Sequence, residues 1–488
     1  MKLRTLFSAC LVGFSMTLFA QTHKEGIEYY RADQFGNARE LLNRNFNNPG
    51  TDKALSDYYL GQIEVIVGDL QKAKTYFNDG IQRDPNCAYN YVGLGMISLK
   101  QGNLKEAQKY FKDAESKAKK DATVLVDIAR AYYDVDPVGY SKEIQKKLEA
   151  AQKKQVENPD YYIMQGDMAK DLAFNTKDQK QYGTAASMYD MATGYDPTSA
   201  AGYVKYAKMF SDLNNYNYAI TKLQELLRNN PESALGQREL ANAYYDNQNY
   251  DKAVQAYNKY INNPNHFQKD EDRYSYLLFY DKDYQQGYDF ATNLLNRDPN
   301  NFTAQRFQFM NALYIDDLAS QMPALTAALW NQHNAKPDEN LFSYLDYKLI
   351  AGEFIGEGKN QEAIDVLEEA SEKFPEYAKD YKENIPNLYV KLGDYGKGAD
   401  AYLDYVNTLE NPTAADYNMI AAYAIYGGIQ RQEGVTPDDS NTPFPQDPEG
   451  AKTYFNLAKD YVQKALQLEP DNQKMKDMLD IINVYLSK

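Results

Sequence analysis

Prolines recur along this chain at a nearly constant spacing, and this spacing restricts the fold more than any other feature. Successive prolines of the series are 33 to 38 residues apart: Pro197, Pro231, Pro264, Pro299, Pro337, Pro375 and Pro412. Each interval contains two apolar-periodic stretches, separated by a short turn rich in Gly, Asn or Asp. A period of this length built from two helical patterns predicts a helical solenoid. We therefore expect an all-α superhelix whose inner surface binds other molecules.

The first twenty residues have the pattern of a secretory signal peptide. Lys2 and Arg4 are followed by an apolar stretch that ends at Phe19 and by the small residue Ala20. This stretch is shorter than the roughly 20 apolar residues of a membrane-spanning helix, although a retained anchor is the alternative. We expect residues 1–20 to be cleaved and the mature chain to be exported to the periplasm or outer-membrane periphery of a Gram-negative bacterium. No later segment is apolar enough to predict a transmembrane helix.

The composition narrows the possible partners. The chain carries 69 acidic and 53 basic side chains, a formal net charge of −16. Because nucleic-acid phosphates require a basic surface, we expect no nucleic-acid partner.

Cysteine and tyrosine content bear on how the fold is stabilised. Cleavage of the signal peptide would remove Cys10 and leave Cys87, which rules out an internal disulfide. The 45 tyrosines suit a thin solenoid, because a tyrosine ring can fill the space between helices while its hydroxyl contacts water.

Small and aromatic residues recur in register within each period. In the unit from Ala54 to Cys87 they are Gly61, Ala73, Phe77, Gly80 and Pro85, and in the next unit Gly95, Ala107, Phe111 and Ala114. Later small pairs are Ala207 and Ala219, Ala241 and Ala253, and Ala351 and Ala363. This pattern resembles the tetratricopeptide repeat (TPR) family, in which small residues let two helices approach closely. The resemblance covers nearly the whole mature chain and implies about twelve helix-turn-helix units.

Departures from the pattern suggest how the units are arranged. We expect an N-terminal array over residues 21–267, degenerate units and a possible joint over 268–340, and a C-terminal array over 341–488. The segment 427–450 contains four prolines and is predicted to be a loop. The final segment, from Gln473, is predicted to be a helix that caps the array.

A polar insertion interrupts one unit of the N-terminal array. Residues 174–184 are rich in Lys, Gln, Asn and Asp. We expect this insertion to lengthen the turn between the two helices of its unit.

The sequence contains no recognisable catalytic or metal-binding motif. His23, His266 and His333 lie at unrelated repeat positions, and zincin, hydrolase and phosphate-loop motifs are absent. We therefore expect a protein that is not an enzyme and that has no cofactor and no metal site.

The TPR resemblance implies that the first helix of each unit lines an inner groove. The residues that map to this groove are Arg130, Tyr133, Lys208, Arg238, Asn242, Tyr245, Lys269, Arg273 and Tyr276. The group around Arg238 and Asn242 resembles a clamp for the terminal carboxylate of a peptide, since a fork of donors suits a carboxylate. The alternative is that these residues are solubilising charges and packing tyrosines.

Three functions follow from these observations. The first is a scaffold that holds a protein or peptide partner, expected to be another envelope protein, with an oligomeric state that the sequence does not specify. The second is a glycan- or nutrient-binding protein associated with an outer-membrane transporter; Gln21 stands where such proteins carry a lipid-acceptor cysteine, which argues against it. An enzyme with its catalytic element in an insertion is the third, but neither insertion contains a His or Cys.

Overall fold

The computed structural model describes residues 24–436 and 439–487, with the backbone alone for 439–442, and this part of the chain is mostly helical. The predicted signal peptide, residues 1–20, lies outside the described residues, as do Gln21 and Pro437. The chain divides into two compact units, one ending at Lys282 (unit 1) and one beginning at Asp283 (unit 2). This division falls within residues 268–340, where the repeats are least regular.

Unit 1 consists of helix-turn-helix pairs. α1 covers residues 24–31. The other helices are α2 (Phe35–Asn45), α3 (Lys53–Val67), α4 (Leu70–Arg83), α5 (Ala88–Lys100), α6 (Leu104–Lys117), α7 (Thr123–Val135), α8 (Ser141–Lys154), α9 (Pro159–Thr176), α10 (Gln179–Tyr195), α11 (Ala200–Asp212), α12 (Tyr216–Asn229), α13 (Ala234–Asp246), α14 (Tyr250–Ile261) and α15 (Lys269–Tyr280).

Unit 2 continues the same architecture. Its helices are α16 (Tyr284–Arg297), α17 (Phe302–Ala312), α18 (Met322–Ala335), α19 (Tyr344–Gly356), α20 (Asn360–Lys373), α21 (Ala378–Lys382), α22 (Ile385–Lys391), α23 (Tyr395–Val406), α24 (Ala414–Glu433), α25 (Pro448–Leu468) and α26 (Gln473–Leu486). Short 3₁₀ helices at Asp316–Gln321 and Pro375–Tyr377 join some of these helices. The predicted all-α array of helix pairs, with a final helix after the last pair, is confirmed.

The turns inside the helix pairs share one backbone conformation. A residue with positive φ ends the first helix, for example Gly68 (φ 91°), Gly102 (φ 76°) and Gln248 (φ 58°). A polar residue then caps the second helix: the side chain of Asp69, for example, accepts a hydrogen bond from a backbone N–H of the first turn. The left-handed residue reverses the chain, and the cap begins the next helix.

Packing within a pair depends on the small residues that the sequence analysis identified. Phe77 and Ala73 on α4 are fully buried, and the Phe77 ring lies directly over Gly61 and Gly93, where a Cβ atom would overlap it. The ring therefore fills space that exists only because these two positions lack side chains. The same arrangement recurs with Gly95 beneath the Phe111 ring.

The prediction that residues 174–184 lengthen a turn was wrong. α9 ends at Thr176 and α10 begins at Gln179, so the turn is short and the helices are 18 and 17 residues long. The Asp178 side chain caps α10 by accepting a hydrogen bond from the Lys180 N–H. The insertion is helical because its polar side chains lie on the exposed face while Ala173 and Ala185 are buried between the two helices.

The loop predicted over residues 427–450 is shorter than expected. α24 continues to Glu433, where Gly434 (φ 74°) ends it, and α25 begins at Pro448. Between them lies an antiparallel hairpin of β1 (Val435–Thr436) and β2 (Asp439–Pro443). Gly427 and Gly428, which the predicted loop included, lie inside α24 and let this helix approach both of its neighbours closely. A Cβ on Gly427 would lie 2.7 Å from the Gly396 backbone, and one on Gly428 would lie 2.7 Å from the Phe455 ring.

Candidate partner-binding groove

The first helices of the pairs in unit 1 form a continuous inner layer. α3 contacts α5, α5 contacts α7, α7 contacts α9, α9 contacts α11, and α11 contacts α13. Side chains from this layer and from α15 carry all of the groove residues that the sequence predicted. The inner layer is therefore where a site has to be sought.

The pair α1–α2, residues 24–45, lies against this inner layer rather than only against α3. We call it the N-terminal hairpin. Its side chains bond to residues that are 129 to 232 positions further along the chain. An ordinary first repeat would contact only the next repeat. The N-terminal hairpin instead occupies the groove of unit 1.

Two carboxylates of α1 bind the N-termini of two inner-layer helices. Glu28 Oε2 accepts hydrogen bonds from Ser199 Oγ (2.7 Å) and from the Ala201 N–H (2.8 Å) at the start of α11. Glu25 Oε1 accepts hydrogen bonds from the Leu235 N–H (2.6 Å) and Ser233 Oγ (3.3 Å) at the start of α13. Unsatisfied N–H groups and the helix dipole make such N-termini favourable sites for an anion.

The turn between α1 and α2 is held by an ion pair at the centre of the groove. Lys205 Nζ on α11 lies 2.6 Å from Asp33 Oδ2 and 3.0 Å from Asp167 Oδ1 on α9. Lys205 is buried, so both carboxylates compensate for the cost of burying its charge. Burial by itself would raise the pKa of Asp167, but Lys205 and Arg130 lower it to about 2. Asp167 therefore stays ionised throughout the physiological pH range.

Further contacts hold the end of the hairpin near α15. Lys269 Nζ donates to Asn37 Oδ1 (2.5 Å), and Arg44 Nη1 donates to the His266 carbonyl (3.1 Å). The Tyr29 ring packs edge-on against Phe267, with the ring centroids 5.2 Å apart. Both rings are fully buried, so the hairpin contributes apolar contact as well as polar contact.

Arg130 and Tyr133, two of the predicted groove residues, bind acidic side chains of α9. Arg130 Nη1 lies 3.0 Å from Asp167 Oδ2, and Tyr133 Oη donates to Asp171 Oδ2 at 2.9 Å. Both contacts join neighbouring inner-layer helices. These two residues therefore connect adjacent repeats.

The group that resembled a carboxylate clamp already holds a carboxylate of the protein itself. Arg238 Nε and Nη2 bind the two oxygens of Asp270 at 2.7 and 3.1 Å, and Arg238 Nη1 reaches Gln34 Oε1 at 3.3 Å. Asn242 accepts a hydrogen bond from Arg273 Nη1 (2.9 Å). The Arg238 guanidinium, which was expected to hold the terminal carboxylate of a peptide, therefore binds Asp270.

The remaining predicted residues lie near the surface of the inner layer. Lys208 on α11 is exposed, and Tyr276 is 44% exposed and stacked on Tyr280 with the ring centroids 5.8 Å apart. The Arg273 guanidinium lies 5.6 Å from the centre of the Tyr245 ring. Lys208 and Tyr276 are therefore accessible probes of this layer.

A cavity of about 360 Å³ remains beside the N-terminal hairpin. It is bounded by Tyr30 and Arg31 of α1 and by Asp127 and Arg130 of α7, among others. Asp127 accepts a hydrogen bond from Tyr58 Oη (2.9 Å). Burial raises the pKa of Asp127 to about 7, and the neighbouring Asp160 adds to this effect. The hairpin therefore does not fill the groove completely.

Over residues 24–436 and 439–487 there is no cluster of His, Cys, Asp or Glu that could hold a metal ion. Burial raises the pKa of the Cys87 thiol to about 11, so this thiol is protonated at neutral pH. His266 Nε2 lies 3.0 Å from Glu271 Oε1, and His333 Nε2 lies 2.9 Å from Glu369 Oε1. In the same described part of the chain, no helix has both the length and the apolar character that crossing a membrane requires.

Comparison with known proteins identifies the repeats. Residues 52–123 and 207–267 match the tetratricopeptide repeat family, which confirms the predicted resemblance over these two stretches. No curated protein matches the sequence.

Solved structures of similar architecture are distant in sequence. The TPR domain of P58(IPK) is 13% identical, with 89% of this chain and 98% of that chain covered and a TM-score of 0.23. A thermophilic TPR protein of Thermus thermophilus is 17% identical, with 39% and 99% covered and a TM-score of 0.29. Tom70 of yeast is 14% identical, with 96% and 88% covered and a TM-score of 0.24.

The sequence analysis missed the residues of the N-terminal hairpin that bind the groove. Repeat spacing predicts contacts between neighbouring units, and it carries no information about units five or six repeats apart. One signal was available in α1. Glu25 and Glu28 are one helical turn apart, beside Gly26, Ile27 and Tyr29, so two carboxylates are placed on a helix that otherwise looks buried.

Proposed function

Because residues 52–123 and 207–267 match the tetratricopeptide repeat family, we propose that this protein is a non-enzymatic scaffold that binds a protein or peptide partner in the groove of unit 1. TPR proteins generally mediate such interactions. One observation carries the proposal: the inner layer of unit 1 holds a helical segment through side chains and helix N-termini. A surface that holds one helix in this way has the donors and the apolar area needed to hold another.

The pattern of the first twenty residues supports export of the protein from the cytoplasm. A basic start, an apolar stretch and a small residue at Ala20 are typical of export. We propose that the scaffold acts at the periphery of a Gram-negative cell envelope and that its partner is another envelope protein.

Site-specific photocrosslinking in intact cells tests this function. A photoreactive phenylalanine analogue placed at Lys208 or Tyr276 should form adducts with a discrete partner in the envelope fraction. The matched control is Lys109, which is exposed on the outer helix α6. Adducts of equal intensity at all three positions, or adducts at Lys109 alone, would contradict binding at the inner layer.

A second candidate, glycan binding, is favoured by one feature of unit 2. Tyr344 and Tyr377 are 46% and 39% exposed, with ring centroids 4.8 Å apart. They border a cavity of about 530 Å³, and exposed aromatic rings beside a cavity suit an amphipathic ligand. Loss of binding on a glycan array after Tyr344→Ala would support this candidate, whereas an array on which the wild type binds nothing would remove it.

A further inference from the structure

We propose that the N-terminal hairpin is an internal ligand, and that the partner of the groove is a helix of the same chemistry: two carboxylates one turn apart, followed by an aromatic residue. In this chain the pattern is Glu25, Glu28 and Tyr29. The inference rests on the proposed function and names the class of partner. The partner displaces the hairpin and binds to the same helix N-termini.

The first support is a pair of equivalent carboxylate sites in consecutive repeats. Ser199 precedes α11 and Ser233 precedes α13, 34 positions later, so each of these two helices begins with a serine followed by first-turn N–H groups. The Ser199 side chain makes no capping bond to its own helix and donates to Glu28 instead. The two sites are thus matched by two carboxylates that α1 places one turn apart.

The charges of the inner layer support a ligand that is acidic on this side. α11, α13 and α15 contribute Lys205, Arg238 and Lys269, and each of them contacts the hairpin. On the opposite side, Arg31 of α1 forms an ion pair with Asp160 of α9, with 3.3 Å between Arg31 Nη2 and Asp160 Oδ2. A helix with carboxylates toward α11 and α13 therefore complements the electrostatic pattern of the groove.

The hairpin itself fits the groove imperfectly. The Tyr29 hydroxyl is buried without a hydrogen-bond partner, and a buried polar group in that state is destabilising. Glu25 is only 5% exposed, and its neighbour Glu28 carries a charge of the same sign one turn away. A partner helix that carries the two carboxylates and has a Phe in place of Tyr29 satisfies the same two sites without burying an unpaired hydroxyl, so exchange is energetically accessible.

The test uses a synthetic peptide of residues 24–46, labelled with fluorescein, and the full-length chain as receptor. The wild-type chain should bind this peptide weakly, because its own hairpin competes at a high effective concentration. Glu25→Ala with Glu28→Ala in the chain weakens the competitor, so this receptor should bind the peptide at least tenfold more tightly. A peptide that carries the same two substitutions should bind to that receptor at least tenfold more weakly than the natural peptide.

The controls separate docking from folding. Glu40→Ala in the chain removes an exposed carboxylate of α2 and should leave peptide binding at the wild-type level. If the double variant loses its helical circular dichroism, Glu28→Gln alone replaces it, with at least threefold tighter peptide binding expected. Equal affinity of the natural and the substituted peptide for every folded receptor, or no binding to any of them, overturns the proposal.

The outcome also separates this inference from the proposed function. If the peptide fails to bind while Lys208 still crosslinks to a partner in cells, the groove binds a partner of different chemistry and only the inference is wrong. If the peptide binds but Lys208 and Tyr276 form no adducts in cells, the hairpin is an exchangeable internal ligand of the groove, and the scaffold function is wrong.

Discussion

Glu25 makes docking of the N-terminal hairpin depend on pH. Its carboxylate is buried against Ser233 and the Leu235 N–H of α13, with Glu28 and Tyr29 beside it on α1. Burial raises the pKa of Glu25 from its usual 4.5 to about 7, although the Leu235 N–H opposes this rise. The folded state therefore holds a proton more tightly than the unfolded state does.

We expect docking of the hairpin to weaken as pH rises. The contribution of Glu25 is fully present below pH 4.5 and is lost as pH rises through about 7; it amounts to about 3 kcal/mol. Hydrogen exchange of the α1 amides, corrected for its intrinsic pH dependence, should show more protection at pH 5 than at pH 8. Glu25→Gln should reduce this difference, with Asp127 beside the hairpin contributing the remainder, and Glu40→Gln should retain it in full. An undiminished difference in Glu25→Gln would assign the effect to another group.

Arg238 shows where reasoning from the sequence fails at the residue scale. Repeat position alone placed it on the groove as an available donor for a partner's carboxylate. The Arg238 guanidinium instead binds Asp270, which is only 6% exposed. Position in a repeat predicts on which surface a side chain lies. It does not predict which residue of a neighbouring repeat that side chain binds.

Arg238→Ala should therefore destabilise unit 1. The substitution leaves the buried Asp270 carboxylate without its main cation, which should lower the free energy of unfolding by about 3 kcal/mol. Lys208→Ala on the exposed surface of α11 is the control and should change it by less than about 0.5 kcal/mol. Urea denaturation followed by circular dichroism measures both, and equal effects would contradict this assignment.

At the element scale, glycines of this chain have two opposite roles. Gly68 and Gly102 provide left-handed residues in turns, as their position between two helical patterns predicts. Gly61 and Gly428 lie inside helices and permit contact with Phe77 and Phe455. The sequence predicted the role of Gly61 because it is part of the repeat pattern, but nearby prolines made Gly428 look like part of a loop.

Substituting a close-contact glycine and an unhindered helical glycine separates the effect of close approach from that of helix propensity. Gly428→Ala should lower the free energy of unfolding by about 1–3 kcal/mol, because the new Cβ overlaps the Phe455 ring. Gly183→Ala in α10, where nothing lies within 4 Å of the new Cβ, should instead raise it by about 0.5–1 kcal/mol. Thermal or urea denaturation measures both changes. A rise in the free energy of unfolding for both variants would show that helix propensity outweighs close approach at Gly428.

At the scale of the molecule, the sequence predicted the helix pairs, their turns and the inner layer. These follow from short-range pattern, since each pair buries its apolar face against the next. The position of the N-terminal hairpin could not be predicted in this way. Its contacts with Ser199, Lys205 and Ser233 join repeats that are far apart in the chain, and a repeat period does not specify such contacts.

A zero-length carbodiimide crosslink tests the docked hairpin most directly. Lys205 Nζ lies 2.6 Å from Asp33 Oδ2, so the reagent should form an amide between these two side chains, detectable by mass spectrometry after digestion. Lys222 and Asp190, also 2.6 Å apart on the adjacent outer helices α12 and α10, provide the control. The docked hairpin predicts both crosslinks in the native chain. The control crosslink without any amide between Lys205 and Asp33 would contradict it.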